Sequence, residues 1–209
     1  PDTGTASMDR LAARCGSIRI NRGQTGLIDL RRLSMLNAFE HALVTGASGG
    51  IGSALCHALA NHSVATITLV GRRQDALQSV ANSLSCQTNV KVADLSNPDD
   101  VASIVDAFPD IDLLINNAGF GSFGPFAAME PQNQVDMVAV NCSTPVALAG
   151  AYLPRMLERD HGCIVNIASG MAFQAMPFMS TYAATKAFLL HWGEAVNEEL
   201  RGTGVSMVN

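Results

Sequence analysis

The chain has 209 residues, of which 48% are hydrophobic and 15% charged, and a formal net charge of −5. That length suffices for one well-buried core, and the low charged fraction excludes a chain disordered over most of its length. The acidic balance argues against a dominant nucleic-acid-binding role, which needs a basic face, and no uninterrupted apolar run reaches the length of about 20 residues that a membrane span needs.

Residues 1–37 stand apart. They hold six arginines (Arg10, Arg14, Arg19, Arg22, Arg31, Arg32) against three acids (Asp2, Asp9, Asp29), with no sustained periodicity. This stretch is expected to be a poorly ordered leader; its arginine-rich, acid-poor character also fits an organelle transit peptide or sequence upstream of the natural start. From Phe39 on, strand and helix signals alternate. Residues 41–45 form a short apolar run ending in glycines, hence a buried strand. Residues 51–61 read as a helix with Ile51, Leu55, Ala58 and Leu59 on its apolar face. Residues 65–70 are rich in β-branched side chains and read as a second strand. A helix over 74–84 carries Leu77, Val80, Ala81 and Leu84 as its stripe, and 89–93 is a third strand. Pro98 opens a helix bearing Val101, Ile104, Val105 and Phe108, and 111–115 is a fourth strand. One long helix is expected over 132–157, a fifth strand over 163–168, a helix over 181–200 and a sixth strand from 204. The alternation predicts an α/β fold, a Rossmann-like doubly wound parallel sheet with helices on both faces.

Cys15, Cys56, Cys86, Cys142 and Cys163 are odd in number and widely spaced, with no C-x-x-C pair. That argues against a zinc or thioredoxin-type site and for buried thiols in a reducing compartment, hence a cytoplasmic location. The five histidines are scattered and suggest no metal site.

The connection between the first strand and the first helix reads Thr45-Gly46-Ala47-Ser48-Gly49-Gly50-Ile51-Gly52. A dinucleotide needs such a turn: tight, open to close backbone approach, with free N–H groups at a helix N-terminus for the pyrophosphate. The glycines fit two spacings, Gly46/Gly50/Gly52 or Gly46/Gly49/Gly52, and the turn alone does not choose. Arg72 lies 20 residues past Gly52 (72 − 52) at the tip of the second strand, followed by Arg73. An acid there would favour a free ribose 2′-hydroxyl; two cations favour a 2′-phosphate, hence NADP(H) over NAD(H). A solvated pair opening a helix is the plainer account. Asp94, ending the third strand, could accept from an adenine amino group or merely cap a turn. Tyr182 and Lys186 stand four apart, on one face of a helix. A tyrosine hydroxyl is a poor base at neutral pH, and a nearby ammonium favours the phenolate. The pair therefore suits proton transfer, although most such pairs are ordinary helix surface.

These motifs meet in one family. TGASGGIG at 45–52, Asn116-Asn117-Ala118-Gly119 after the fourth strand, Ser169 after the fifth and Tyr182-x-x-x-Lys186 resemble the short-chain dehydrogenase/reductase family, in its compact single-domain TGxxxGxG branch. The resemblance implies hydride transfer between a nicotinamide and a small-molecule carbonyl or secondary alcohol. Tyr182 would be the general acid or base, Ser169 would hold the substrate oxygen, and Lys186 would bind the nicotinamide ribose and support Tyr182. Asn141 would help hold a water that relays protons; otherwise it is a buried polar group kinking its helix. Ser169 could likewise be a mere turn hydroxyl. Asn117 and Gly119 would line the cofactor pocket, with Asn116 supporting the central strands. Ser48, Ile51, Leu95 and Ala118, beside these positions, would complete the cofactor contacts.

In that family the sixth strand runs into a Pro-Gly turn and a substrate-covering segment, then a last strand. Here the sequence closes at Val208-Asn209, so the expectation is a piece of a longer protein, or a truncated product of doubtful activity, with the last strand missing and a sheet edge open. The segments 120–129 and 171–179 are apolar for loops, which fits an apolar substrate pocket, a subunit contact or ordinary packing. By analogy with the family, the full-length protein is expected to be a homodimer or homotetramer. The competing function, of another class, is a nucleotide-binding sensor or scaffold that keeps the fold without turnover.

Overall fold

The computed structural model describes residues 39–209. The leader and Cys15 lie outside the described residues. Strands and helices follow in the order β1 (His41–Thr45), α1 (Gly50–Asn61), β2 (Thr66–Gly71), α2 (Gln74–Ser83), β3 (Gln87–Val92), α3 (Pro98–Ala107), β4 (Leu113–Asn116), α4 (Pro131–Val138), a π-helical turn (Ala139–Ser143), α5 (Thr144–Glu158), β5 (Gly162–Asn166), α6 (Ser180–Glu199) and β6 (Val205–Val208). The strands form one parallel sheet in the order β3-β2-β1-β4-β5-β6. The order reverses between β1 and β4, and in such sheets the crevice outside the carboxyl ends at that reversal is where ligands bind.

Burial on both faces explains the continuous apolar strands. In β1, Leu43 joins a cluster with Ile104 of α3 and Leu148 and Tyr152 of α5. Its neighbours Ala42 and Val44 point the other way, towards Leu59 of α1 and Leu77 of α2. Alternation of period two thus feeds two cores, one per face. At the amino end of the sheet Asp112, buried, accepts hydrogen bonds from the Glu40 N–H at 2.7 Å and the His41 N–H at 2.9 Å, which fixes where β1 starts.

Two expectations need correction. The buried face of α1 is Gly52, Cys56 and Leu59, whereas Ile51 is 62% exposed and Ala58 is exposed. The helix is rotated by the close approach of Gly52 to the Gly46 carbonyl, a constraint that apolar periodicity does not register. The helix expected over 132–157 is not uniform: α4 and α5 are joined by the π-helical turn that contains Asn141. Pro145, in the first turn of α5, has no N–H to give to the carbonyl four residues back, and a π turn absorbs such a gap. Counted together, Pro131–Glu158 spans 28 residues with a mean hydropathy of 1.2 in its most apolar window, long and apolar enough to cross a membrane by length and composition only. Its Met137, Leu148, Tyr152 and Met156 are fully buried within the domain, and a core helix is apolar for that reason.

Candidate active site

The glycine turn resolves its own ambiguity. Gly46 and Gly50 have φ of 66° and 55°, in the left-handed region that favours glycine. A Cβ on Gly52 would lie 2.2 Å from the Gly46 carbonyl oxygen, so that position too admits no side chain. Gly49 has extended backbone with φ 165° and meets only the Arg73 guanidinium, at 3.7 Å. The required glycines are therefore 46, 50 and 52. The turn is pinned from β4. Thr45 Oγ1 donates to the Ile115 carbonyl (3.2 Å) and accepts from the Asn117 and Ala118 N–H groups (both 3.0 Å). The Asn117 amide in turn donates to the Thr45 and Gly46 carbonyls at 2.9 and 3.2 Å. Asn117 thus shapes the turn and does not line the cavity, while Asn116 donates to Asn166 at 2.9 Å and ties β4 to β5. Helix α1 has no side-chain cap and no acid in its first turn, which leaves its N-terminal N–H groups to an anion.

A cavity of about 560 Å³ opens over the carboxyl ends of β1 to β4. Gly46, Ser48, Arg72, Arg73, Asp94, Leu95, Ala118 and Gly119, all expected from the sequence, line it. Gly50, Ile51 and Gly52, at the start of α1, and Asn141, Ser169, Tyr182 and Lys186 are outside this lining. Asn133, Asp136 and Val140 add a wall from α4 and the π turn that the sequence reading did not assign; no motif marks them. Arg73 reaches back over the turn, donating to the Ser48 carbonyl at 3.4 Å. Asp94 caps the following turn, accepting from Ser96 N–H (3.0 Å) and Ser96 Oγ (2.8 Å). Those hydrogen bonds, with the Arg72 charge, hold its carboxyl below the usual range.

Beyond Gly119 lies the second half of the site. Asn141, buried in the π turn, grips the backbone of Phe120: its Oδ1 accepts from the Phe120 N–H at 3.2 Å and its Nδ2 donates to the Phe120 carbonyl at 3.0 Å. The same Nδ2 donates to Thr185 Oγ1 at 3.0 Å, and that hydroxyl donates to the Tyr182 carbonyl at 2.8 Å. Asn141 is thus a buried polar group within the π turn and a neighbour of the tyrosine helix. Lys186, only 5% exposed, donates to the Ile167 carbonyl at 2.8 Å, and its Nζ is 5.9 Å from the centre of the Tyr182 ring. Burial pushes its ammonium below the usual lysine range. A Cβ on Gly119 would come within 3.1 Å of Asn141 Oδ1 and 3.5 Å of Lys186 Nζ, so glycine there lets the backbone pack directly against the two groups. Gly121 packs on the Tyr182 ring, 2.9 Å from Cδ2 if it carried a Cβ. Ser169, two residues past Ile167, opens the short 3-10 turn Gly170–Phe173, and its Oγ accepts from the Met171 N–H at 3.3 Å. Gly121 and Thr185 went unassigned in the sequence reading: the first shows only as a glycine among apolar loop residues, the second as the residue before the lysine.

The turn, the cationic strand tip and the N–H-bearing helix end fit a dinucleotide phosphate, so the residues present suit a nicotinamide cofactor. Known proteins agree. The family described as short chain dehydrogenase matches residues 40–209. The ketoacyl reductase HetN of Nostoc sp. is 36% identical over 172 residues, covering 79% of this chain and 60% of its own. A very-long-chain 3-oxoacyl-CoA reductase of Phaeosphaeria nodorum is 33% identical over 177 residues, covering 78% of this chain and 51% of its own. This chain therefore spans between half and two thirds of the length of these two relatives. A metagenomic short-chain oxidoreductase crystallised with NADP superposes with a TM-score of 0.75 at 31% identity, covering 81% of this chain and 79% of that one. The chain belongs to the short-chain dehydrogenase family.

Proposed function

We propose that the protein is an NADP(H)-dependent oxidoreductase acting on a carbonyl compound or the corresponding secondary alcohol. The observation that carries this reading is the buried Lys186 ammonium set between Gly119 and the Tyr182 ring, with Asn141 closing the same wall. The Gly46 turn and the α1 N-terminus would hold the pyrophosphate, and Arg72 and Arg73 the ribose 2′-phosphate. When bound, the nicotinamide supplies or accepts the hydride. In reduction, the Tyr182 hydroxyl gives its proton to the substrate oxygen, and the Lys186 charge favours the phenolate left behind. Ser169 Oγ orients that oxygen and stabilises its developing negative charge. Asn141 holds the Phe120 backbone and so fixes the wall beside Lys186. The exposed Val138, Val146 and Phe188, on α4, α5 and α6, support a self-associating face, as in a homodimer or homotetramer.

The test is NADPH oxidation with an aromatic ketone or a 3-ketoacyl thioester, comparing the wild type with Tyr182→Phe. The variant should keep NADPH affinity and lose turnover by orders of magnitude. Equal turnover in both proteins removes Tyr182 from the chemistry, and NADPH binding without any turnover favours the sensor or scaffold.

A further inference from the structure

Two segments bracket Tyr182. Residues 120–129 carry Gly121, the glycine packed on the Tyr182 ring. Residues 171–179 lead directly into α6, on whose first turn Tyr182 stands. The segments are stitched together: the Gly124 N–H donates to the Phe178 carbonyl at 2.9 Å. Across that bond the rings of Phe123 and Phe178 meet, their centroids 5.9 Å apart and their planes at 45°. Neither ring is buried, with Phe123 77% and Phe178 53% exposed. Phe178 also has a φ of 66°. A bulky side chain rarely enters that left-handed region, and such outliers, when the surroundings hold them, gather at ligand clamps and active sites.

We infer that Phe123 and Phe178 form a two-ring platform at the mouth of the Tyr182 site, which takes a planar apolar group, such as an aryl ring, attached to the substrate carbonyl. The inference rests on Tyr182 being the group that meets that carbonyl. Large rings left in water contribute little to folding, whereas a third ring laid against the pair, offset or edge-on, removes apolar surface from water and adds aromatic contact. A small polar carbonyl compound would leave the platform wet. The backbone bond between Gly124 and Phe178 holds together the two segments that carry the rings before the substrate arrives, so less ordering remains at binding.

The test uses the full chain saturated with NADP+ and 2-acetylnaphthalene as the probe, with affinity read by calorimetry. Phe178→Gly is the informative variant, because glycine adopts φ 66° freely and the fold should hold its melting temperature or gain. Phe178→Gly and Phe123→Ala should each weaken the probe by about tenfold or more with NADPH affinity unchanged. Phe126→Ala, on the same segment but outside the ring pair, should bind as the wild type does. Wild-type affinity in both Phe178→Gly and Phe123→Ala, or an equal loss in Phe126→Ala, overturns the platform. A wild type that binds NADPH but not the probe overturns the platform alone; one that binds neither overturns the cofactor reading with it.

Discussion

The side-chain amide of Asn141 donates to the hydroxyl of Thr185 at 3.0 Å, with both residues buried. This bond joins the π turn to the helix that carries Tyr182 and Lys186. Thr185→Val keeps the shape but removes the acceptor, and leaves one amide hydrogen of Asn141 without a partner. A buried donor left unsatisfied costs about 1–3 kcal/mol, so urea denaturation should show a loss of that size, and Thr185→Ser should recover most of it. Turnover should fall in the valine variant and return in the serine variant, while NADPH affinity stays level.

The glycine turn gives a three-way contrast. Gly49→Ala places its methyl near nothing but the far end of the Arg73 side chain, at 3.7 Å, and should preserve both folding and NADPH binding. Gly50→Ala meets no neighbour within 4 Å, but its φ of 55° strains any other residue, so an intermediate loss of stability is expected. Gly52→Ala drives a Cβ into backbone, the Gly46 carbonyl, and should abolish NADPH binding or folding. Melting temperature and NADPH fluorescence titration rank the three. A Gly49→Ala defect as deep as that of Gly52→Ala would contradict the spacing derived from the backbone.

That contrast also marks what can be read from a sequence. The strand–helix alternation was legible because strands buried on both faces must be apolar runs, and 41–45 and 65–70 could be little else. Tyr182 and Lys186 stood out by their spacing, and Ser169 and Asn141 through the family resemblance; the structure brings Asn141 and Lys186 together at Gly119. The choice between Gly49 and Gly50 was not, because both are glycine and only the dihedral angle separates them. The rotation of α1 was hidden for a related reason: contact between two glycines sets it, and glycine carries no hydrophobic signal. The cavity wall from Asn133 and Asp136 is ordinary polar helix surface in sequence, and only the docking of α4 brings it over the sheet. The break in the long helix was half visible in Pro145, which cannot donate to the carbonyl of Asn141 four residues back.

The proposed preference for NADP(H) rests on the two arginines at the tip of β2. Arg73 already lies across the glycine turn through the Ser48 carbonyl, and the charge of Arg72 acts on Asp94 on the neighbouring strand's tip. Replacing both by alanine removes the only side chains in the cavity lining that carry positive charge, among the described residues. NADPH affinity should fall by about tenfold to a hundredfold, as expected for losing charge-assisted bonds to a phosphate, while NADH affinity changes little. Titrations with both nucleotides decide it: equal losses would mean the arginines support the turn and do not read the phosphate.

Lys186 should show a function bought at the expense of stability. Its ammonium is buried, and burial holds it below the usual lysine range. The folded value therefore lies below the unfolded one, about 10.4. Between the two values the unfolded chain binds more protons than the folded chain, so this group makes stability rise with pH there; below both, the full cost of burying the charge is present. Lys186→Met removes the charge and keeps most of the volume, though it gives up the bond to the Ile167 carbonyl. Relative to Lys186→Met, the wild type should gain stability as pH climbs towards the unfolded value of about 10.4, and the variant should have lost turnover throughout. Paired urea denaturation curves across that range measure the difference directly. A difference that stays flat with pH would show that the ammonium pays no desolvation cost in the folded protein, and that Tyr182 is served by a lysine as well hydrated as one on the surface.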